Sequence, residues 1–138
     1  MRLMKLVMLL CLTALTACAS TGREANALDS AQYAWSAAIR WGDFEGAQNL
    51  VDPEYRKAHP SSALELARYE QVQISSYRDV GSDRNIEGGT AVRDIQIGVV
   101  NRHTLAERQV RYREQWRWDP QAGTWWLVNG LPDLWAGE

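Results

Sequence analysis

The most regular alternation in the chain is found in Val110-Arg-Tyr-Arg-Glu-Gln-Trp-Arg-Trp118. Successive side chains of a strand point to opposite faces of its sheet. One face of this segment therefore carries its aromatic side chains together with Glu114, and the opposite face carries Arg111, Arg113 and Arg117. The pattern predicts a long strand over residues 105–118 whose aromatic face covers a core.

Three other segments of the second half have the composition of strands. Residues 69–80 alternate loosely, residues 90–100 are rich in β-branched side chains, and residues 125–129 follow the turn-forming stretch 119–123. A polar loop is expected at residues 81–89. Four consecutive strands with short connections favour an antiparallel meander.

The first half of the domain has helical periodicity instead. Asp29 is the predicted N-cap of a helix that ends at Gly42, with Trp35 and Trp41 expected in the core. Asp43 would cap a second, short helix, whose exit Pro53 marks, and residues 59–62 would form a loop before a helical turn. The order of elements predicts an α+β domain, in which an N-terminal helix pair packs on a four-stranded curved antiparallel sheet.

This arrangement resembles the nuclear-transport-factor-2-like (cystatin-like) fold. The likeness is carried by Trp35–Leu50, with its corner Trp41-Gly-Asp-Phe44, and by the terminal hairpin Trp116–Trp126. It extends over about residues 28–135. Proteins of this fold include isomerases, dehydratases, polyketide cyclases and non-catalytic binding or assembly modules, so the resemblance does not choose a function.

Residues 1–17 have the organisation of a secretory signal peptide, with Arg2 and Lys5 before the apolar run 6–15. That run is shorter than the roughly 20 residues that span a bilayer. The following Leu15-Thr-Ala-Cys18 resembles the lipobox of bacterial lipoproteins. The resemblance implies cleavage before Cys18 and attachment of acyl chains such as palmitate to it.

By the same resemblance, Ala19 implies delivery to the outer membrane, with the domain facing the periplasm. Residues 18–27 are expected to form the lipidated cysteine and a flexible tether, and residues 28–138 one domain. Loss of Arg2 and Lys5 with the leader would change the net charge from −2 to −4. Such a charge argues against nucleic acid as a partner.

Metal and thiol chemistry find little support in the sequence. Cys18 would be acylated, and the domain has no other cysteine. His59 and His103 lie in predicted turns without a third ligand at a suitable spacing. We therefore expect no metal site and no cofactor.

Glu114 is the candidate catalytic residue, with Tyr112 beside it on the same strand face. Burial would raise the pKa of the Glu114 carboxyl and suit it to general acid–base work. Asp94 would lie on the solvent side of its strand. The alternative is that Glu114 pairs with a buried arginine, such as Arg40 or Arg93, or lies near the rim.

The outward face of the same strand offers candidate partner-binding residues, namely Arg111, Arg113 and Arg117. This stripe would dock an anionic partner, such as a lipid headgroup or an acidic protein surface, or would form cross-strand pairs with Asp or Glu. Trp125 and Trp126 are consecutive, so one of them lies outside the core and is a further candidate contact.

Two hypotheses of function follow from these residues. The first is a lipid-anchored envelope protein that acts as a non-enzymatic binding or assembly module for an envelope protein or a small apolar ligand. The alternative is a small pocket enzyme, similar to isomerases or cyclases, in which Glu114 acts as acid or base.

Overall fold

The computed structural model describes residues 1–136, except for the side chains of residues 2–3 and 5–18. Four helices precede four strands. The helices are α1 (Arg2–Trp41), α2 (Phe44–Gln48), α3 (Pro53–Ala58) and α4 (Ala63–Tyr69). The strands are β1 (Val72–Asn85), β2 (Thr90–Asn101), β3 (Glu107–Asp119) and β4 (Thr124–Leu127).

The strands form one open antiparallel sheet in the order β1-β2-β3-β4, which confirms the predicted α+β meander. Strand β1 continues to Asn85 through residues that the sequence predicts as loop. The register of β1 against β2 shifts between Ile74 and Ser76 and again between Asp79 and Gly81. Such bulges bend a strand and increase its twist.

Helix α1 is longer than the sequence predicts. Residues 19–27 belong to it and are helical rather than a flexible tether, so the helix does not begin at Asp29. These residues include several alanines and no proline, which suits a helix interior. The indole Nε1 of Trp125 donates to the carbonyl of Glu24 at 2.9 Å and so ties this turn to the sheet.

Helix α1 ends at Gly42, as predicted. The glycine has φ 74°, and its N–H bonds the carbonyls of Ala38 and Ile39. Left-handed backbone of this kind is the usual reason for glycine at a helix end. The chain then turns into α2, whose N-cap Asp43 accepts a hydrogen bond from the N–H of Gly46 at 2.8 Å.

The sequence predicts that the chain leaves a helix at Pro53, but a further helix, α3, begins there. Pro53 is the first residue of α3, a position where its missing N–H costs nothing. Asp52 caps this helix by accepting from the N–H of Glu54 at 2.8 Å. Helix α4 begins with a capping box formed by Ser62 and Glu65.

The core lies between α1 and one face of the sheet. Trp35 and Ile39 are completely buried there, and Trp35 meets Trp116 edge-to-face with ring centroids 6.4 Å apart. Trp41, also predicted to be in the core, is 87% exposed. It follows Ile39 by two residues, about 200° around the helix, and therefore points away from the sheet.

Candidate functional site

Glu114 lies on the face of β3 that covers the core, as the alternation predicts, and its side chain is fully buried. Its strand neighbour across the sheet is Arg93 of β2. The Arg93 guanidinium donates through Nε to Glu114 Oε2 at 2.9 Å and through Nη2 to Oε1 at 2.7 Å. This two-pronged pair is the geometry in which arginine binds a carboxylate most strongly.

Two more donors complete the surroundings of this carboxylate. The Tyr77 hydroxyl donates to Glu114 Oε1, and the indole Nε1 of Trp116 donates to Oε2 at 2.8 Å. Each carboxylate oxygen therefore accepts two hydrogen bonds. We call Tyr77, Arg93, Glu114 and Trp116 the Glu114 cluster. Its geometry favours the alternative in which Glu114 pairs with a buried arginine, and Arg93 rather than Arg40 is that partner.

The Glu114 cluster also joins the sheet to α1. Arg93 Nη2 donates to Ser36 Oγ at 2.8 Å, and Trp35 Nε1 donates to the Tyr77 hydroxyl at 3.0 Å. Burial, and then the adjacent Glu114 carboxylate, raises the pKa of Tyr77 well above its usual value. Tyr77 therefore stays a neutral donor, and the cluster is a closed network with a structural role.

Tyr112, the second catalytic candidate, bonds elsewhere. Its hydroxyl donates to the carbonyl of Gly130 at 2.7 Å, and its ring lies 6.4 Å from that of Trp35 in a stacked arrangement. Burial raises the pKa of Tyr112 well above its usual value. The hydroxyl of Tyr112 thus secures the segment that follows β4.

The arginine stripe lies on the exposed face of the sheet, as predicted. Arg113 forms a two-pronged pair with Asp94, which is also on this face, with N–O distances of 2.7 and 3.0 Å. Arg117 is paired with Asp52 at the start of α3. Arg111 borders a shallow groove of about 630 Å³ that also involves Asp94 and Gln96. Two of the three predicted docking arginines are therefore already paired with acidic residues.

The two consecutive tryptophans separate as the strand pattern requires. Trp125 is 1% exposed and faces the core. Trp126 lies on the other face, directly across from Arg117, and its Nε1 donates to Asp119 at 3.2 Å. Trp126 is thus the member of the pair that remains accessible to a partner.

A second site, which the sequence did not reveal, is an open cleft of about 540 Å³ between α3, α4 and the segment after β4. We call it the aromatic cleft. Its lining includes the rings of Tyr55, His59, Tyr69 and Trp135. Tyr55 and His59 stack with centroids 4.3 Å apart, and Tyr69 meets Trp135 edge-to-face at 4.9 Å.

Charged and small residues complete the aromatic cleft. The Arg68 guanidinium carbon lies 4.1 Å from the centroid of the Trp135 ring, a cation–π contact. Gly130 lines the wall with φ 72°, and a Cβ there would come within 2.7 Å of the Tyr55 ring. Glycine at this position therefore leaves room for the ring of Tyr55.

The described residues lack two further features. Within them, no helix is long and apolar enough to cross a bilayer. No group of three or more His, Cys, Asp or Glu side chains is placed to hold a metal ion in the same part of the chain. Cys18, the predicted lipidation site, has a side chain outside the described residues.

A SEC-C motif-containing protein from Rhodopseudomonas palustris, solved in solution, resembles this chain in structure. The two share 22% sequence identity with a TM-score of 0.55, over 69% of this chain and 70% of the other. At this identity the likeness concerns the fold alone. No family model and no curated protein matches the chain.

Proposed function

We propose that this chain is a lipid-anchored protein of the bacterial envelope whose α+β domain is a non-enzymatic binding module, with the aromatic cleft as its binding site. The observation that carries the proposal is the open cleft walled by two aromatic pairs. Concave sites lined by aromatic side chains and a few polar groups are the usual form of ligand sites.

The Glu114 cluster supports binding over acid–base catalysis. All four hydrogen bonds that the Glu114 oxygens accept come from side chains of the domain itself. A general acid or base must reach the proton of a substrate within hydrogen-bonding distance. A substrate would have to displace Arg93, Tyr77 or Trp116 to meet this carboxylate.

The anchoring part of the proposal rests on the leader and on Leu15-Thr-Ala-Cys18. Its test is expression of the full chain with Cys18→Ser, with Cys11→Ser as the matched control inside the leader. The wild type and Cys11→Ser should fractionate with membranes and carry the added mass of acyl chains. Cys18→Ser should lack that mass. Equal processing and mass of all three proteins would contradict lipidation at Cys18.

The binding part is tested by placing a photo-crosslinking amino acid at His59, on the rim of the aromatic cleft, in living cells. The matched position is Gln73, an exposed residue of β1 that does not line the cleft. A cleft that binds a partner or ligand should give a discrete adduct from position 59 and not from position 73. Adducts from position 73 alone would move the binding site to the sheet.

A further inference from the structure

Some hydrogen-bonding groups of the aromatic cleft are paired within the domain, and others are not. The Tyr69 hydroxyl donates to the carbonyl of Pro132 at 2.9 Å, and Gln48 donates to Ser61 at 2.6 Å. Over residues 1–136, the indole Nε1 of Trp135, the Tyr55 hydroxyl and the Arg68 guanidinium make no hydrogen bond within the domain. Each of these three groups is a donor, so the cleft is complementary to a ligand that carries acceptors.

The charged residues at the cleft indicate whether the acceptors of its ligand should be neutral or anionic. Glu65 and Asp133 both line the cleft. Burial, with the fields of Asp133 and Glu65, raises the pKa of Tyr69 to about 12. These two carboxylates at the cleft oppose the entry of a carboxylate or phosphate. The unused donors therefore suit neutral carbonyl oxygens.

The walls of the cleft also restrict the shape of the ligand that fits it. One wall is the stacked pair of Tyr55, on α3, and His59, directly after α3, and the other is the pair Tyr69–Trp135. Proline-rich chains in the polyproline conformation fit aromatic-lined grooves of this kind. Their backbone makes no internal hydrogen bonds, so the carbonyls are free to accept, and proline brings no N–H that the donor-rich cleft would leave unpaired.

We propose that the aromatic cleft binds a proline-rich segment of a partner protein in the extended polyproline conformation. The proline rings would lie against the two aromatic walls, and a carbonyl would accept from Trp135 Nε1. The carboxylates of Glu65 and Asp133 favour segments that are neutral or flanked by a basic residue. This inference rests on the proposed function and specifies the partner of the same cleft.

The experiment uses the full-length protein in detergent micelles, ¹⁵N-labelled at the tryptophan indoles. The probe is an end-blocked peptide of ten prolines, and the control is an end-blocked Gly-Ser peptide of equal length. The indole signal of Trp135 should shift in a saturable way with the proline peptide and stay in place with the Gly-Ser peptide. An equal shift with both peptides would overturn the assignment to proline-rich segments.

Two variants locate the site. Trp135→Phe keeps the aromatic wall and removes the indole N–H, and it should weaken the binding of the proline peptide about tenfold, the value of one useful hydrogen bond. Trp41→Phe, at an exposed tryptophan that does not line the cleft, should change the affinity less than twofold. Unchanged thermal melting of both variants shows that folding is not the cause. Equal weakening by the two variants would place the site elsewhere.

Failure of this inference can be told from failure of the proposed function. If the proline peptide leaves the Trp135 signal unmoved at millimolar concentration while the crosslinker at position 59 still yields an adduct, the cleft binds a ligand of another class. If an acidic carboxylate such as benzoate shifts the same signal and the proline peptide does not, the neutral-acceptor argument is wrong. Both results overturn the proline proposal and leave the binding module in place.

Discussion

The Glu114 cluster and the aromatic cleft are built from the same kinds of side chain. Each combines aromatic rings with an arginine and acidic groups. In the cluster, Glu114 is fully buried and its two oxygens accept four hydrogen bonds. In the cleft, Trp135 and Tyr55 present donors without a partner in the described residues, beside an open volume of about 540 Å³.

This difference shows that residue composition does not by itself mark a binding site. A polar group that the domain already satisfies stabilises the fold, while one that the domain leaves unpaired beside a cavity is available to a ligand. The most suggestive residue of the sequence, Glu114, therefore belongs to the framework. The less conspicuous Tyr55, Tyr69 and Trp135 line the proposed binding site.

The largest expected effect comes from opening the cluster. Glu114→Ala leaves the Arg93 guanidinium, whose side chain is only 13% exposed, with the more distant Asp79 at 3.9 Å as its remaining acidic partner. We expect the free energy of unfolding to fall by about 3–5 kcal/mol, as is usual when one partner of a buried pair is removed. Urea unfolding followed by circular dichroism measures it.

The companion double variant Arg93→Met/Glu114→Leu removes both charges. It should lose less stability than Glu114→Ala alone, because no buried charge is left unpaired. A double variant less stable than the single one would contradict the description of the cluster as a charge-compensated pair.

The next effect compares two tyrosine hydroxyls. Tyr77→Phe removes a hydrogen bond to the Glu114 carboxylate and the acceptor of Trp35 Nε1, and should cost about 1.5–3 kcal/mol. Tyr55→Phe removes the hydroxyl of the cleft residue and should stay within about 0.5 kcal/mol. The two variants make the same chemical change, so thermal unfolding of both tests the comparison directly. Similar losses would mean that Tyr55 is as fully bonded as Tyr77.

A smaller effect is expected at high pH. The pKa of Tyr69 is raised from the ordinary value of 10 to about 12, mainly by burial. The unfolded chain then releases this proton at lower pH than the folded domain, so the contribution to stability is complete below pH 10 and is lost between pH 10 and about 12. Unfolding measured across this range should show a shallower fall in Tyr69→Phe than in the wild type. Parallel curves would contradict the shift.

The smallest effect belongs to the exposed face of the sheet. Asp94→Ala removes the ion pair between Asp94, whose side chain is 44% exposed, and Arg113, whose side chain is 59% exposed. Water and salt screen such a pair, so the loss of stability should be much smaller than that of Glu114→Ala when both are measured by urea unfolding. A loss as large as that of Glu114→Ala would mean that burial is not what separates the two arginine–carboxylate pairs.

The sheet could be predicted because its signal is local. The alternation of Val110–Trp118 assigns every side chain of β3 to a face, and the structure keeps Glu114 inside and Arg111 outside. The exposure of Trp41 was harder to predict. Helical spacing allows several apolar stripes on α1, and only the packing of Trp35 and Ile39 shows which stripe faces the sheet. The partner of Glu114 depends on the register of β2, which sequence pattern left open between Arg40 and Arg93.

The aromatic cleft could not be predicted because its walls come from distant parts of the chain. Tyr55 and His59 follow Pro53, which resembles an exit from a helix and is in fact the start of α3. The four-residue spacing of Tyr55 and His59 is the local signal of their ring contact, since residues four apart meet at a helical turn and His59 directly follows α3. Trp135 lies in the segment after β4, beyond Gly130 with its positive φ.

The continuity of α1 has a mechanical consequence. From position 18 to Leu28, the first fully buried residue among the described side chains of the helix, the backbone rises about 15 Å without a break. With acyl chains on Cys18, this stretch would connect the lipid anchor to the domain as a continuous helix rather than as a flexible linker. The tilt of α1 would then determine the distance between the domain and the bilayer, and the direction in which the cleft opens.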